Sequence, residues 1–252
     1  MPMIHSENLT KKYGAFTAVN NISISIPKGT ICGFLGMNGA GKTTTMRMLT
    51  GVIEPSEGLI RIGEYSLNEE PEKAKKITGY IPDRPYLYPT MTPVEFLTFV
   101  GDLYETPRKI LGDRIKFLLS HYSLWNKRGD LVQGFSHGMK QRLATCAALI
   151  HEPKVLIIDE PMVGLDPQGA KKLKTSLRQY AESDGMTIFL STHSLHVAEE
   201  LCDSIIIIHN GNIISRGTVS ETKLLVNSNK NDLESVFIEL TNNETSQQLP
   251  ET

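Results

Sequence analysis

Apolar and polar positions alternate in three stretches near the start of the chain: 3–9, then Ile22-Ser23-Ile24-Ser25-Ile26 closed by Pro27-Lys28-Gly29, and later Gly58-Leu59-Ile60-Arg61-Ile62-Gly63. A period of two predicts antiparallel strands, hence a small β layer. From 85 to about 148 the spacing becomes helical. Thr92-Pro93-Val94-Glu95 reads as a helix start, and Phe96, Phe99 and Leu103 then share one face, so this segment predicts a helical insertion. Strand-like runs return at 154–158, 186–190 and 204–209, with helical stretches at 169–181 and 195–201 between them. Alternating β and α elements imply a parallel sheet, and the fold class is α/β. Beyond Thr218 the composition turns polar, through 227–232, then a short amphipathic stretch at 233–240 and an end predicted to be disordered. The predicted division is one domain over 1–217 and an extension over 218–252.

The β layer is interrupted by Gly36-Met37-Asn38-Gly39-Ala40-Gly41-Lys42-Thr43, which fits G-x-x-x-x-G-K-[ST] at every fixed position. An apolar strand at 31–35 precedes it, and 44–49 reads as the first turns of a helix. That is the context in which glycines let successive N–H groups point at phosphate oxygens, with the helix start adding partial positive charge. Lys42 adds a full charge for the terminal phosphates, and Thr43 offers a hydroxyl to the Mg²⁺ that bridges them. The segment from Gly36 through Thr44 is therefore a candidate nucleoside triphosphate site.

Charge and cysteine content narrow the partners. With 26 Lys plus Arg against 28 Asp plus Glu in 252 residues, the net charge of −2 gives no basic footprint for nucleic acid. Cys32, Cys146 and Cys202 are far apart in sequence, show no metal-ligand spacing and read as buried reduced thiols, which fits a cytoplasmic location. No signal-peptide pattern opens the sequence and no apolar run is long enough to span a bilayer, so a membrane role is expected to come through a partner.

A second constellation closes the site. Val155-Leu156-Ile157-Ile158 ends in Asp159-Glu160, placing two carboxylates at the C-terminal edge of a parallel sheet, where ligands bind. Asp159 is suited to hold Mg²⁺ through water, and Glu160 to polarise an attacking water as general base.

At this point the chain, from Ile4 to Thr241, resembles the ATP-binding subunit of an ATP-binding cassette transporter of the bacterial exporter type. Phe135-Ser136-His137-Gly138-Met139 stands where that family carries its signature, usually Leu-Ser-Gly-Gly-Gln, and Ser136 and Gly138 match it. The resemblance implies that this motif opens a helix and reaches the γ-phosphate of ATP on the opposite subunit. Gly164-Leu165-Asp166 resembles the D-loop, giving Asp166 a place at the nucleotide. Leu190-Ser191-Thr192-His193 resembles the switch region, with His193 donating to the γ-phosphate, and Tyr13 matches the aromatic residue that stacks on adenine. Asp83, after Gly79-Tyr80-Ile81-Pro82, occupies the position where the family most often has glutamine near Mg²⁺. The glycine that directly follows the serine of the signature is replaced by His137, which implies that no positive φ is needed there.

The resemblance implies a P-loop NTPase (RecA-like) core with an antiparallel β subdomain and a helical subdomain. ATP is its fuel, Mg²⁺ its metal, a head-to-tail homodimer or a dimer with a related subunit its working form, and a separate multi-span membrane permease subunit its partner. Pro85-Tyr86-Leu87-Tyr88-Pro89 is the expected docking surface, and the cassette is expected at the inner face of the cell membrane. An alternative of another class is a soluble cassette ATPase acting on ribosomes or nucleic acid. The long insertions or paired cassettes usual there are not seen in this sequence.

Overall fold

The computed structural model describes residues 2–224 and 233–247. The polar run 227–232 and the segment 248–252, part of the end predicted to be disordered, lie outside the described residues.

Alternation at the start of the chain becomes a hairpin, β1 (Ile4–Tyr13) and β2 (Phe16–Ile26), in which Ile4, Leu9, Ile22, Ile24 and Ile26 are buried and their neighbours are mostly exposed. An apolar strand, β3 (Ile31–Leu35), leads through the glycine-rich loop into α1 (Lys42–Leu49). Next come β4 (Glu57–Ile62), β5 (Tyr65–Ser66), α2 (Pro71–Lys76) and β6 (Thr78–Ile81). The helical insertion contains α3 (Pro93–Leu103), α4 (Arg108–His121) and α5 (His137–Leu149). A capping box starts α3: Thr92 accepts from the N–H of Glu95 while the Glu95 carboxylate accepts from the N–H of Thr92. The chain then runs through β7 (Val155–Asp159), α6 (Pro167–Asp184), β8 (Thr187–Thr192), α7 (Leu195–Leu201), β9 (Ser204–His209), β10 (Asn212–Thr218), α8 (Val219–Lys223) and α9 (Leu233–Gln247).

Two sheets result. One has four strands in the order β2-β1-β4-β5, and the other six in the order β10-β9-β3-β8-β7-β6. Strands β9, β3, β8, β7 and β6 are parallel, and only β10 is antiparallel to its neighbour. Successive side chains of the central strands feed two cores. Ile31, Leu35, Leu156, Ile158, Ile188 and Leu190 face the helical insertion and α6. Cys32, Phe34, Val155, Ile157 and Phe189 face α1 and the antiparallel sheet. Burial on both faces explains why these strands read as unbroken apolar runs.

Three strands were not predicted: the two-residue β5, β6 and β10. β6 is four residues long, contains Gly79 and is followed by Pro82, so its composition masks it. β10 follows Asn210-Gly211, both at positive φ, the two-residue turn of a hairpin, and this dipeptide is the sequence signal for it. Past Leu240, where the amphipathic stretch stops, α9 continues to Gln247. Once a helix is nucleated each added residue gains one hydrogen bond, so a helix runs on past its last apolar position.

Candidate functional site

The glycine-rich loop connects the C-terminal end of β3 to α1, with its backbone held close to the neighbouring strands. A Cβ on Gly36 would come within 2.5 Å of the Ile208 carbonyl oxygen. Gly41 has φ 108, and a Cβ there would meet the Ala18 carbonyl oxygen at 2.6 Å, so only glycine fits. The first N–H groups of α1 have no acceptor within the helix and face the loop. Lys42 is buried and its Nζ donates to the carbonyl oxygens of Gly36 at 2.8 Å and Met37 at 3.2 Å. Burial pulls the pKa of this ammonium below the usual lysine value, with Glu160 and then Asp159 acting against that shift.

One cleft of about 460 Å³ gathers Tyr13, Asn38, Gly39, Gly41, Lys42, Thr43, Thr44, Asp83, Glu160 and His193. Gly36, Met37 and Ala40 shape the loop without lining the cleft, and Ala40 and Met37 are joined by a backbone bond of 3.2 Å. Tyr13 stands at the tip of the β1–β2 hairpin directly opposite Phe16, and both rings line the cleft. Sequence reasoning missed Phe16, although Tyr13-Gly14-Ala15-Phe16 as a hairpin tip places it there. It also missed Val163, which follows Glu160 on the cleft wall.

Behind this wall lies Asp159, 1 % exposed. Its Oδ1 accepts from the Ser191 hydroxyl, whereas its Oδ2 is buried with no hydrogen-bond partner. Glu160 stands at φ 52, its Oε1 2.9 Å from His193 Nδ1 and 3.8 Å from Lys42 Nζ. The unpartnered Oδ2 suits a metal-bound water. Among the described residues there is no group of three or more His, Cys, Asp or Glu able to hold an ion unaided. That combination fits Mg²⁺, which is usually held by one or two carboxylates together with substrate phosphates.

Ser136, Gly138 and Asp166 do not reach this cleft. Ser136 caps α5, its Oγ accepting from the Met139 N–H at 3.3 Å, and His137 is the first helical residue. Asp166 caps α6, its Oδ1 accepting from the Gly169 N–H at 2.6 Å, and lines a separate hollow with Gln141, Arg142 and Lys172. The start of α5 nevertheless touches the loop after β7. A Cβ on Gly164 would lie 2.0 Å from the His137 ring.

A family profile described as "ABC transporter" matches residues 19–163, from the second strand of the hairpin to the cleft wall at Val163. The chain belongs to the ABC transporter family. A second profile, "AAA domain, putative AbiEii toxin, Type IV TA system", overlaps it at 131–199. The cassette is 40 % identical to the linearmycin resistance ATP-binding protein LnrL of Bacillus subtilis (strain 168), over 87 % of this chain and 70 % of that one. It is 34 % identical to the ABC-type transporter ATP-binding protein EcsA of the same organism, over 96 % and 97 % of the two chains. A solved structure described as an ATP binding subunit of an ABC transporter superposes with TM-score 0.88 at 32 % identity, covering 95 % of this chain and 99 % of that one. This cassette is thus an ATP-binding and ATP-hydrolysing subunit of an ABC transporter, with a P-loop NTPase fold. Its three cysteines are free and buried, and burial pushes the Cys32 thiol up to about 12. Among the described residues no helix is long and apolar enough to cross a membrane.

Proposed function

We propose that two copies of this cassette, or one copy and a related subunit, close head to tail on ATP and drive a separate multi-span membrane protein. The observation that carries the reading is the division of the predicted residues between surfaces. Lys42, Thr43, Asp83, Glu160 and His193 share one cleft, while Ser136, Gly138 and Asp166 lie outside it and are free to complete the cleft of a second copy. Tyr13, with Phe16 beside it, offers a ring for adenine. Lys42 exchanges its loop carbonyls for the terminal phosphates. Thr43 and Asp159, with Asp83 at the edge, are the residues that would hold Mg²⁺, which when bound neutralises charge on the phosphates. Glu160 takes the proton of the attacking water, and His193 keeps the Glu160 carboxylate oriented until phosphate offers the imidazole another acceptor. Closure on ATP and opening after hydrolysis supply the two states a membrane partner converts into transport. The name of LnrL, a resistance protein, supports the exporter type.

Docking is assigned to the face at the entry to α3, which holds the cassette at the inner surface of the cell membrane. Tyr86 is 85 % exposed, and Tyr88 packs edge-on to Phe99 at 5.6 Å, with Leu103 exposed one turn further along α3. Together these residues give an aromatic, apolar patch. The test is co-expression with the multi-span protein encoded nearby. The parent is expected to co-purify, and Tyr86→Ala with Tyr88→Ala to lose roughly thirtyfold in partner affinity, about 2 kcal/mol, while the isolated subunit keeps its basal ATPase. A complex of parental affinity in the double variant removes this face as the docking site.

A further inference from the structure

We infer that Ser191 is a positioning residue for ATP hydrolysis, one hydroxyl that assigns the two acids at the end of β7 to different tasks. Ser191 lies in β8 in direct register with Asp159 and is fully buried. Its Oγ–H donates to Asp159 Oδ1, and the same oxygen accepts from the Glu160 N–H at 3.1 Å. The Ser191 carbonyl oxygen shares that N–H at 3.2 Å.

Each bond has a consequence for one acid. With Oδ1 occupied, the Asp159 carboxylate cannot rotate without losing a bond, and Oδ2 is left as its buried, unpartnered oxygen. A buried acceptor without a donor costs free energy until something supplies one, so a metal-bound water is favoured at that oxygen and nowhere else on the group. On the other side, the two acceptors on the Glu160 N–H hold that residue at φ 52, a region that costs on the order of 1–3 kcal/mol for a non-glycine residue. The turn directs the Glu160 carboxylate back toward His193 and Lys42. A hydroxyl is the smallest side-chain group that donates and accepts through one atom. Alanine at this position does neither, cysteine does both weakly, and threonine does both at the expense of one extra methyl group in a packed place.

The inference rests on Asp159 as the metal-side acid and Glu160 as the base, so its test carries both as controls. ATP-analogue affinity is measured by fluorescence in EDTA and across a Mg²⁺ titration, beside kcat, for Ser191→Ala, Ser191→Thr, Asp159→Asn and Glu160→Gln. Ser191→Ala is expected to bind as the parent does in EDTA. It should need 10–100-fold more Mg²⁺ for half of the metal's effect and to lose a similar factor in kcat, the usual scale for a residue that orients a ligand. Ser191→Thr is expected to recover most of both. A parental Mg²⁺ titration and kcat in Ser191→Ala, while Asp159→Asn loses its metal response, overturns the role of Ser191 and leaves the two acids as read. An unchanged metal response in Asp159→Asn overturns the reading of the acids instead. Equal losses in EDTA and in Mg²⁺ mark a packing defect and also overturn the inference. If Ser191→Ala does not fold by thermal melting, Ser191→Cys, close in volume and a weak donor, takes its place with the same two readouts.

Discussion

Glu160 is fixed by its backbone on one side and by two partners on the other, an unusual degree of constraint for a side chain at the rim of a cleft. Its φ of 52 is sustained because Ser191 supplies two acceptors for its N–H, and its carboxylate is shared between His193 and Lys42. Replacing the carboxylate by an amide keeps the shape and removes the proposed base. Glu160→Gln is therefore expected to bind ATP as the parent does and to lose a hundredfold or more in turnover, the scale of a general base. Phosphate release against nucleotide affinity measures the split, and parental turnover in the variant rejects Glu160 as the base. At this scale Lys42, Thr43, Asp159 and Glu160 were legible because their spacing along the chain is itself the chemistry. Ser191 was not, because its importance comes from the register of β8 against β7, and a serine two positions before a histidine carries no signal of that register.

Between elements, the junction of the helical insertion with the sheet depends on a neutral histidine. His151, in the turn after α5, stacks on Tyr104 at the end of α3 with ring centroids 3.7 Å apart, and its Nε2 lies 3.2 Å from the Thr78 carbonyl of β6. Burial lowers its pKa to about 4. The Thr78 carbonyl opposes that shift, and the charge of Arg114 adds to it. The folded pKa thus lies below the unfolded value of about 6.5. The contribution to stability is complete above that value and is lost as pH falls from about 6.5 toward 4. The upper bound is about 3 kcal/mol, at about 1.4 kcal/mol per unit. His151→Gln, which keeps a donor for Thr78, is expected to show a smaller drop in Tm than the parent between pH 6.5 and 4, and equal drops in the two proteins exclude this histidine. Element types were readable where length and period agreed, as in α3 with its capping Thr92 and in β7 with its apolar run. β6 escaped because a four-residue edge strand relies on its neighbours rather than on its own composition, and β10, also at a sheet edge, mixes Asn212, Ser215 and Gly217 with its apolar residues.

For the whole molecule, Ser136 and Gly138 lie away from the cleft, so under the proposed head-to-tail closure a single copy would be an incomplete enzyme. Glu160→Gln protein of 28.0 kDa is expected to double in mass with ATP, by light scattering, and to return to one copy when nucleotide is removed. A monomer under ATP at high protein concentration argues against the head-to-tail closure. The proposed arrangement comes only from the resemblance. No hydrophobic pattern along one chain tells which of its surfaces belong to a second copy. The C-terminal extension is similar, since Glu199 of α7 receives both Lys223 Nζ and the first N–H of α9, so α9 is tied to the helix that follows His193 by a carboxylate with no motif around it.

The contact of His137 with Gly164 has a consequence for timing. Because the imidazole lies against a residue with no side chain, the start of α5 and the loop after β7 interlock like two teeth of a gear. A swing of the helical insertion that carries α5 toward the sheet would press on that loop. In the proposed closed pair each copy would lend α5 to one nucleotide and hold β7 at the other, so a push delivered at Tyr86 and Tyr88 would reach both nucleotides in the same stroke.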